Sequence, residues 1–247
     1  MRETATPTLL IFTLGAARES ARRGLLPPGM RDLEIGLREG CLEAALAAGR
    51  SSGCRIEVCS PSPLALPQGI ENVPQEGTGF GSRLEGAMRG AFARGASPLV
   101  VVGSDVPGLS PSHVTCALDL LADDPGRVVL GPSPDGGIYL LATARPIEGL
   151  AALRWCRRDT LRHLLRALRE AVRPVVLLEP LADLDRPADL ERWLAGPLFD
   201  GRWRPLARLL RSALARRRRA LPVSAGSPRP AFASAPSGRG PPLPALA

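Results

Sequence analysis

Lysine is absent from this chain; all 32 basic residues are arginine. That excludes a lysine nucleophile or Schiff base. It also excludes a Walker-type phosphate loop, whose Gly-Lys-Ser/Thr ending needs the lysine. Aromatic residues make up only 4% of the sequence against 45% hydrophobic residues, so the core must be aliphatic. There are two histidines, His113 and His163, and five cysteines, at 41, 54, 59, 116 and 156, with no Cys-x-x-Cys pair. This spacing argues against a zinc site and for buried, reduced thiols. No apolar run is long enough for a membrane span, and Thr8 to Leu14 is too short for a signal core. The expectation is a soluble cytoplasmic protein.

Acidic residues are missing from one end. Residues 201–247 hold ten arginines and no acid, whereas residues 1–200 hold 22 arginines and 24 acids. The net charge of +8 therefore belongs to the C-terminal end. A main domain without a basic face is a poor candidate for specific nucleic-acid binding. The run Arg216-Arg217-Arg218-Arg219 is expected to make weak contacts with anionic surfaces. The expected boundaries are a domain over 1–199, a basic helix over 200–219 and a disordered Pro/Ala/Ser/Gly-rich tail over 220–247.

What is present is an alternation of strand and helix patterns. Strands are expected over 8–14, 54–59, 98–102, 127–130, 138–142 and 173–178. Helices are expected over 31–48, 82–94, 111–122 and 159–172, with a short one ending at Trp193. Ser82 with Glu85 reads as a capping box, and Ser110 before Pro111 as a helix start. Residues 16–29 and 60–81 read as loops. This is the pattern of an α/β fold with a mostly parallel central sheet and helices on both faces.

The run Pro98-Leu-Val-Val-Val102 reads as a strand buried on both sides, ending at Gly103-Ser104-Asp105. Asp105 then lies at the carboxyl end of a central strand, where open α/β sheets place their ligands. It either holds a divalent cation or caps the helix near Ser110. Two further acidic turns follow: Asp135-Gly136-Gly137 and Asp183-Leu184-Asp185. The first is also a plausible tight hairpin turn, and Asp185-Arg186-Pro187 a helix start. Carboxylates from separate strand ends suit Mg²⁺ or Mn²⁺, which complete their coordination with phosphate oxygens and water. Arg18, Arg22 and Arg23 supply phosphate donors after the first strand. Arg83, at a helix start, either binds an anion or pairs with Glu76 or Glu85.

Four blocks, taken in order, resemble one bacterial family. They are Gln75-Glu-Gly77 with Gly81-Ser-Arg83-Leu84, then Val101-Val-Gly-Ser-Asp-Val-Pro-Gly-Leu109, then Val129-Leu-Gly-Pro-Ser-Pro-Asp-Gly-Gly-Ile-Tyr-Leu140, then Asp183-Leu-Asp-Arg-Pro-Ala-Asp-Leu190. The family is the arsenosugar-biosynthesis-type glycosyltransferase family, a domain of unknown function. It is similar to the molybdenum-cofactor and 2-phospho-lactate guanylyltransferases. The resemblance covers roughly residues 8–195 and implies a Rossmann-like, GT-A nucleotide-diphospho-sugar transferase fold. It further implies a metal-dependent transferase using a nucleotide sugar or nucleoside triphosphate and a small-molecule acceptor. On that basis Asp105, Asp183 and Asp185 hold the Mg²⁺ or Mn²⁺, and Asp105 and Asp135 are catalytic. Arg22, Arg23, Arg83 and Ser104 bind the nucleotide phosphates, and Gly136 and Gly137 line the acceptor or sugar side. Two stretches depart from the family pattern. In the first loop the family's Lys falls on Arg22 and its following Arg on Gly24. Arg154-Trp155-Cys156-Arg157-Arg158 stands where the family tends to have a Trp-Ser-Thr-like stretch. These departures motivate the alternative of a catalytically degenerate nucleotide- or partner-binding member.

Overall fold

A computed structural model describes residues 6–196 and 201–220. The first strand, β1 (Thr6–Phe12), is followed by a short helix, α1 (Ala16–Arg22), and a long one, α2 (Arg31–Ser51). Next come β2 (Arg55–Ser60), β3 (Glu71–Pro74) and α3 (Phe80–Ala93). The central strand β4 (Ala96–Gly103) leads to α4 (Pro111–Asp123). β5 (Val128–Pro132) and β6 (Ile138–Thr143) precede α5 (Thr160–Glu170), β7 (Val175–Leu177), α6 (Pro187–Ala195) and α7 (Trp203–Ala220).

The sheet order is β3-β2-β1-β4-β6-β5-β7. All neighbours are parallel except β6, which runs antiparallel to both β4 and β5. The fold class read from the sequence is the one found. β1 has β2 on one side and β4 on the other, so the chain order reverses between them. Ligands of open α/β sheets bind at the carboxyl ends flanking such a reversal.

Alternation along β1 explains the two core layers. Leu9 and Ile11 pack with α2 and α4 residues such as Ala45, Val114 and Leu121. Leu10 faces the other way, onto Leu84, Met88, Leu164 and Leu168 of α3 and α5. Successive strand side chains point to opposite faces, so an unbroken aliphatic strand serves both. A third cluster joins Leu37 and Cys41 of α2 to Leu190 and Leu194 of α6 and to Trp203, Ala207 and Leu210 of α7.

Four local expectations are corrected. Residues 16–22 are helical rather than loop. An edge strand forms over 71–74, inside the expected loop. α3 starts at Phe80 after Gly79, and Ser82 does not cap it: its Oγ donates to the Gly79 carbonyl, while Glu85 pairs with Arg89. Finally, Cys116 and Cys156 are exposed, although Cys41 and Cys59 are buried as expected. The tail expected to be disordered lies, from residue 221 onward, outside the described residues. Among the described residues no helix is long and apolar enough to cross a membrane.

Candidate active site

A cavity of about 370 Å³ opens at the carboxyl ends of β1 and β4. Its acidic wall is built by two chain reversals. β5 and β6 are joined through Asp135-Gly136-Gly137; the Gly137 N–H donates to Asp135 Oδ1 at 2.8 Å, and the Ser133 N–H to the Gly137 carbonyl at 3.0 Å. This is the hairpin turn read from the sequence, and it also delivers a carboxylate to the cavity. After β7 the chain crosses back over the sheet end. The Leu181 N–H donates to the Pro132 carbonyl at 3.1 Å and the Leu184 N–H to the Asp105 carbonyl at 2.9 Å. Leu184 is buried in the third cluster, so its neighbours Asp183 and Asp185 project away from that cluster toward the cavity.

Asp135, Asp183 and Asp185 each place a carboxylate oxygen within 4.8 Å of the other two. Such crowding is electrostatically unfavourable without a cation. The cost shows at Asp183, whose pKa is raised to about 7 by burial first and then by Asp105 and Asp135. Asp105 stands outside the trio but lines the same cavity; burial, then Glu19, pushes its carboxyl above the usual range. Its backbone carbonyl is what holds Leu184, so the turn after β4 positions the Asp183–Asp185 segment directly. Oxygen-only carboxylate trios suit hard divalent cations such as Mg²⁺ or Mn²⁺. The residues present therefore fit the expected metal.

The arginines arrive from two helices. Arg22 is exposed at the end of α1 and lines the cavity. Arg23 makes an ion pair with Asp185, and its carbonyl accepts from Arg38 Nη2 at 2.8 Å. Glu34 fixes that loop by accepting the Leu25 and Leu26 N–H groups while pairing with Arg38. Arg83 lines the cavity from α3. Its Nε is buried without a hydrogen-bond partner, and neither Glu76 nor Glu85 pairs with it.

Ser104 lines the cavity but is engaged in a hydrogen bond, and Gly136 falls elsewhere. Ser104 Oγ donates to Thr13 Oγ1 at 2.6 Å, and that oxygen accepts the Gly15 N–H at 3.0 Å. The serine thus braces the turn from β1 into α1. Gly136 does not line the cavity. It has φ +93°, and a Cβ there would overlap the Arg158 carbonyl, so its absent side chain lets the 157–161 segment pack against the turn. The Leu161 N–H donates to its carbonyl at 2.9 Å. Gly137 does line the cavity.

Sequence reasoning missed the opposite, aromatic wall. The chain has nine aromatic residues, and Phe12, Phe80, Tyr139 and Trp155 all border the cavity. Phe80 bridges the set, with ring centroids 5.4 Å from Phe12 and 5.3 Å from Trp155. Beside them sits Gln75. Its amide nitrogen donates to the Thr13 carbonyl at 2.7 Å and the Cys59 carbonyl at 2.9 Å, leaving Oε1 buried without a donor. No sequence signal marked these positions, and Phe12, Phe80 and Trp155 also pack against the second core layer.

Residues 38–157 match the family described as "Uncharacterized protein conserved in bacteria (DUF2064)". The family match bears out the resemblance. The matched stretch carries Arg83, Asp105 and Asp135, while Asp183 and Asp185 lie beyond it. None of the curated proteins matches the chain. Among solved structures, a protein from Desulfovibrio desulfuricans G20 assigned as a nucleotide-diphospho-sugar transferase superposes with a TM-score of 0.72 at 23% identity, covering 86% of this chain and 97% of that one. The manganese complex of Rv0371c from Mycobacterium tuberculosis H37Rv superposes with a TM-score of 0.52 at 18% identity, covering 78% of this chain and 100% of that one. The fold is that of the nucleotide-diphospho-sugar transferases.

Proposed function

We propose that the protein is a metal-dependent transferase that uses a nucleotide sugar or nucleoside triphosphate, either as a glycosyltransferase or as a nucleotidyltransferase. The observation that carries this reading is the Asp135–Asp183–Asp185 trio, set at the sheet's switch point and facing cavity-lining arginines. The manganese in the Rv0371c complex, in a protein of like fold, is in keeping with it.

Asp135, Asp183 and Asp185 would hold Mg²⁺ or Mn²⁺, which when bound supplies charge neutralisation to the diphosphate and its leaving group. Arg22 and Arg83 bind phosphate oxygens; the unpaired Arg83 Nε gains the partner it lacks. Arg23, already paired with Asp185, orients that carboxylate. The aromatic wall takes the flat face of a base or sugar. Gln75 Oε1, its amide nitrogen committed elsewhere, accepts only from an N–H or O–H, which favours a ligand edge bearing such a donor. Asp105 and Glu19 are the remaining carboxylates that line the cavity, and we assign Asp105 the proton of an attacking acceptor hydroxyl; its raised proton affinity suits that task.

Thermal melting with GDP, UDP or GTP, each with and without Mn²⁺, tests this reading. At 100 times the dissociation constant a bound nucleotide stabilises by about 2.7 kcal/mol. The expected result is stabilisation that needs the metal. No metal-dependent stabilisation by any nucleotide contradicts it.

The Arg23–Asp185 ion pair favours a second reading, because it already neutralises one of the three carboxylates. A degenerate member would bind nucleotide or a partner without turnover. The Asp105→Ala variant separates the two: an enzyme loses product formation, whereas a binding protein keeps its function in cells.

A further inference from the structure

Five helical arginines elsewhere in the molecule pair with acids three or four residues away. Arg38 pairs with Glu34, Arg89 with Glu85, Arg162 with Asp159, Arg166 with Glu170 and Arg192 with Asp189, each three or four residues apart. α7 carries no acid with which to make such a pair. No acid occurs anywhere in 201–247. Arg204, Arg208, Arg211 and Arg216 are exposed and have no carboxylate partner among the described residues.

The arrangement is ordered. Arg204, Arg208 and Arg211 recur at helical spacing on one face, and with Gly196 they wall a groove of about 330 Å³. Arg211 Nε donates to the Leu194 carbonyl at 3.0 Å, which sets that side chain at the groove. On the other side of the helix Trp203, Ala207 and Leu210 are buried against α2 and α6, and Trp203 Nε1 donates to the Pro107 carbonyl at 3.1 Å. The basic face is thus held outward on a docked helix. From Arg204 to Arg211 it runs roughly 10 Å at 1.5 Å per residue, and Arg216 extends the basic surface about 120° round the helix from Arg204. Leu209, 55% exposed, follows Arg208 and lies about 100° round the helix from it, on the far flank of the exposed surface.

We propose that the outer face of α7 docks the protein on an anionic phospholipid surface. Lipid phosphates are taken by the Arg204–Arg208–Arg211 groove, and Leu209 enters the head-group boundary. A helix surface with arginines both in the groove and beyond it, and with no acid, matches an extended array of negative charge better than one small anion. An exposed leucine beside arginines is the pattern of helices that lie in the membrane interface. A nucleic acid fits less well. The only aromatic residue of α7, Trp203, is buried and offers no base a stacking face. The rest of the chain holds more acids than bases, which denies a duplex a second basic face. The inference uses no residue of the cavity and stands independently of the transfer reaction.

The test is flotation of the full chain with vesicles of phosphatidylcholine alone or with 30% phosphatidylglycerol. Binding is expected only to the anionic vesicles, with release at high salt. Arg204→Gln with Arg208→Gln should weaken it about 30-fold, with thermal melting unchanged. Arg229→Gln with Arg239→Gln, beyond the helix, should leave it intact. Failure to bind anionic vesicles at low salt overturns the proposal. So does an equal loss in the Arg229/Arg239 pair, which would place the contact in the tail. Displacement from the vesicles by poly-uridylate at equal phosphate, but not by inorganic phosphate, would assign the face to nucleic acid instead.

Discussion

Asp183 is the residue on which most of the site's electrostatics converge. Burial and the facing Asp105 and Asp135 raise its pKa to about 7, above the ordinary aspartate value near 3.9. Its contribution to folding stability is therefore fully present below about pH 4 and lost as pH rises through 7. Replacing it with asparagine removes a poorly solvated charge. We expect Asp183→Asn to be more stable than the wild type at pH 8 without metal, by about 1 kcal/mol after discounting for solvent screening, and no more stable at pH 4. Thermal melting at the two pH values checks this. Gly136 makes the opposite kind of demand. Gly136→Ala combines positive-φ strain with overlap on the Arg158 carbonyl and should cost roughly 3–5 kcal/mol by denaturant unfolding. The sequence marked Asp105, Asp135, Asp183 and Asp185 as acidic turns. It could not say which three converge, because the Leu184–Asp105 backbone bond that sets the distance joins residues 79 apart in the chain.

Elements were legible where their patterns were long. The strands around β1, β2, β4, β5 and β6 stood out through continuous or alternating apolar residues, and α2, α4 and α5 through periodicity. α1 escaped because it is a single seven-residue unit whose N-cap is Gly15, at φ +84° and without a side-chain cap. β3 escaped because Glu-Asn-Val-Pro is a mostly exposed edge that becomes a strand only by pairing with β2. The docking of α7 includes a close fit at Trp203: a Cβ on Gly40 of α2 would lie 2.8 Å from its ring. Trp203→Ala should cost roughly 3–5 kcal/mol. Gly40→Ala should destabilise through overpacking, and the double variant should be less destabilised than the sum, since removing the indole makes room for the methyl. Urea denaturation of the three variants decides it; additive costs would mean the two residues do not meet.

For the whole molecule, the order reversal between β1 and β4 collects the first-loop arginines, the hairpin carboxylate and the post-β7 carboxylates around one cavity. A cation bound there competes with the proton on Asp183. Metal affinity should accordingly rise between pH 5 and about 7 and level off above, as the carboxyl is freed. Stabilisation by Mn²⁺ that does not change over that window would mean that Asp183 is not a ligand. The fold class could be read from strand–helix alternation alone. The aromatic wall could not, because Phe12, Phe80 and Trp155 come from three separate parts of the chain and meet only when the sheet forms.

The most direct measurement is titration of Mn²⁺ into the wild type and into Asp183→Asn, followed by electron paramagnetic resonance at pH 7.5, with and without nucleotide. The wild type should bind one ion per chain, more tightly when GTP or UDP is present, and Asp183→Asn should lose the site while remaining folded. Equal Mn²⁺ affinity in the two proteins would contradict the account.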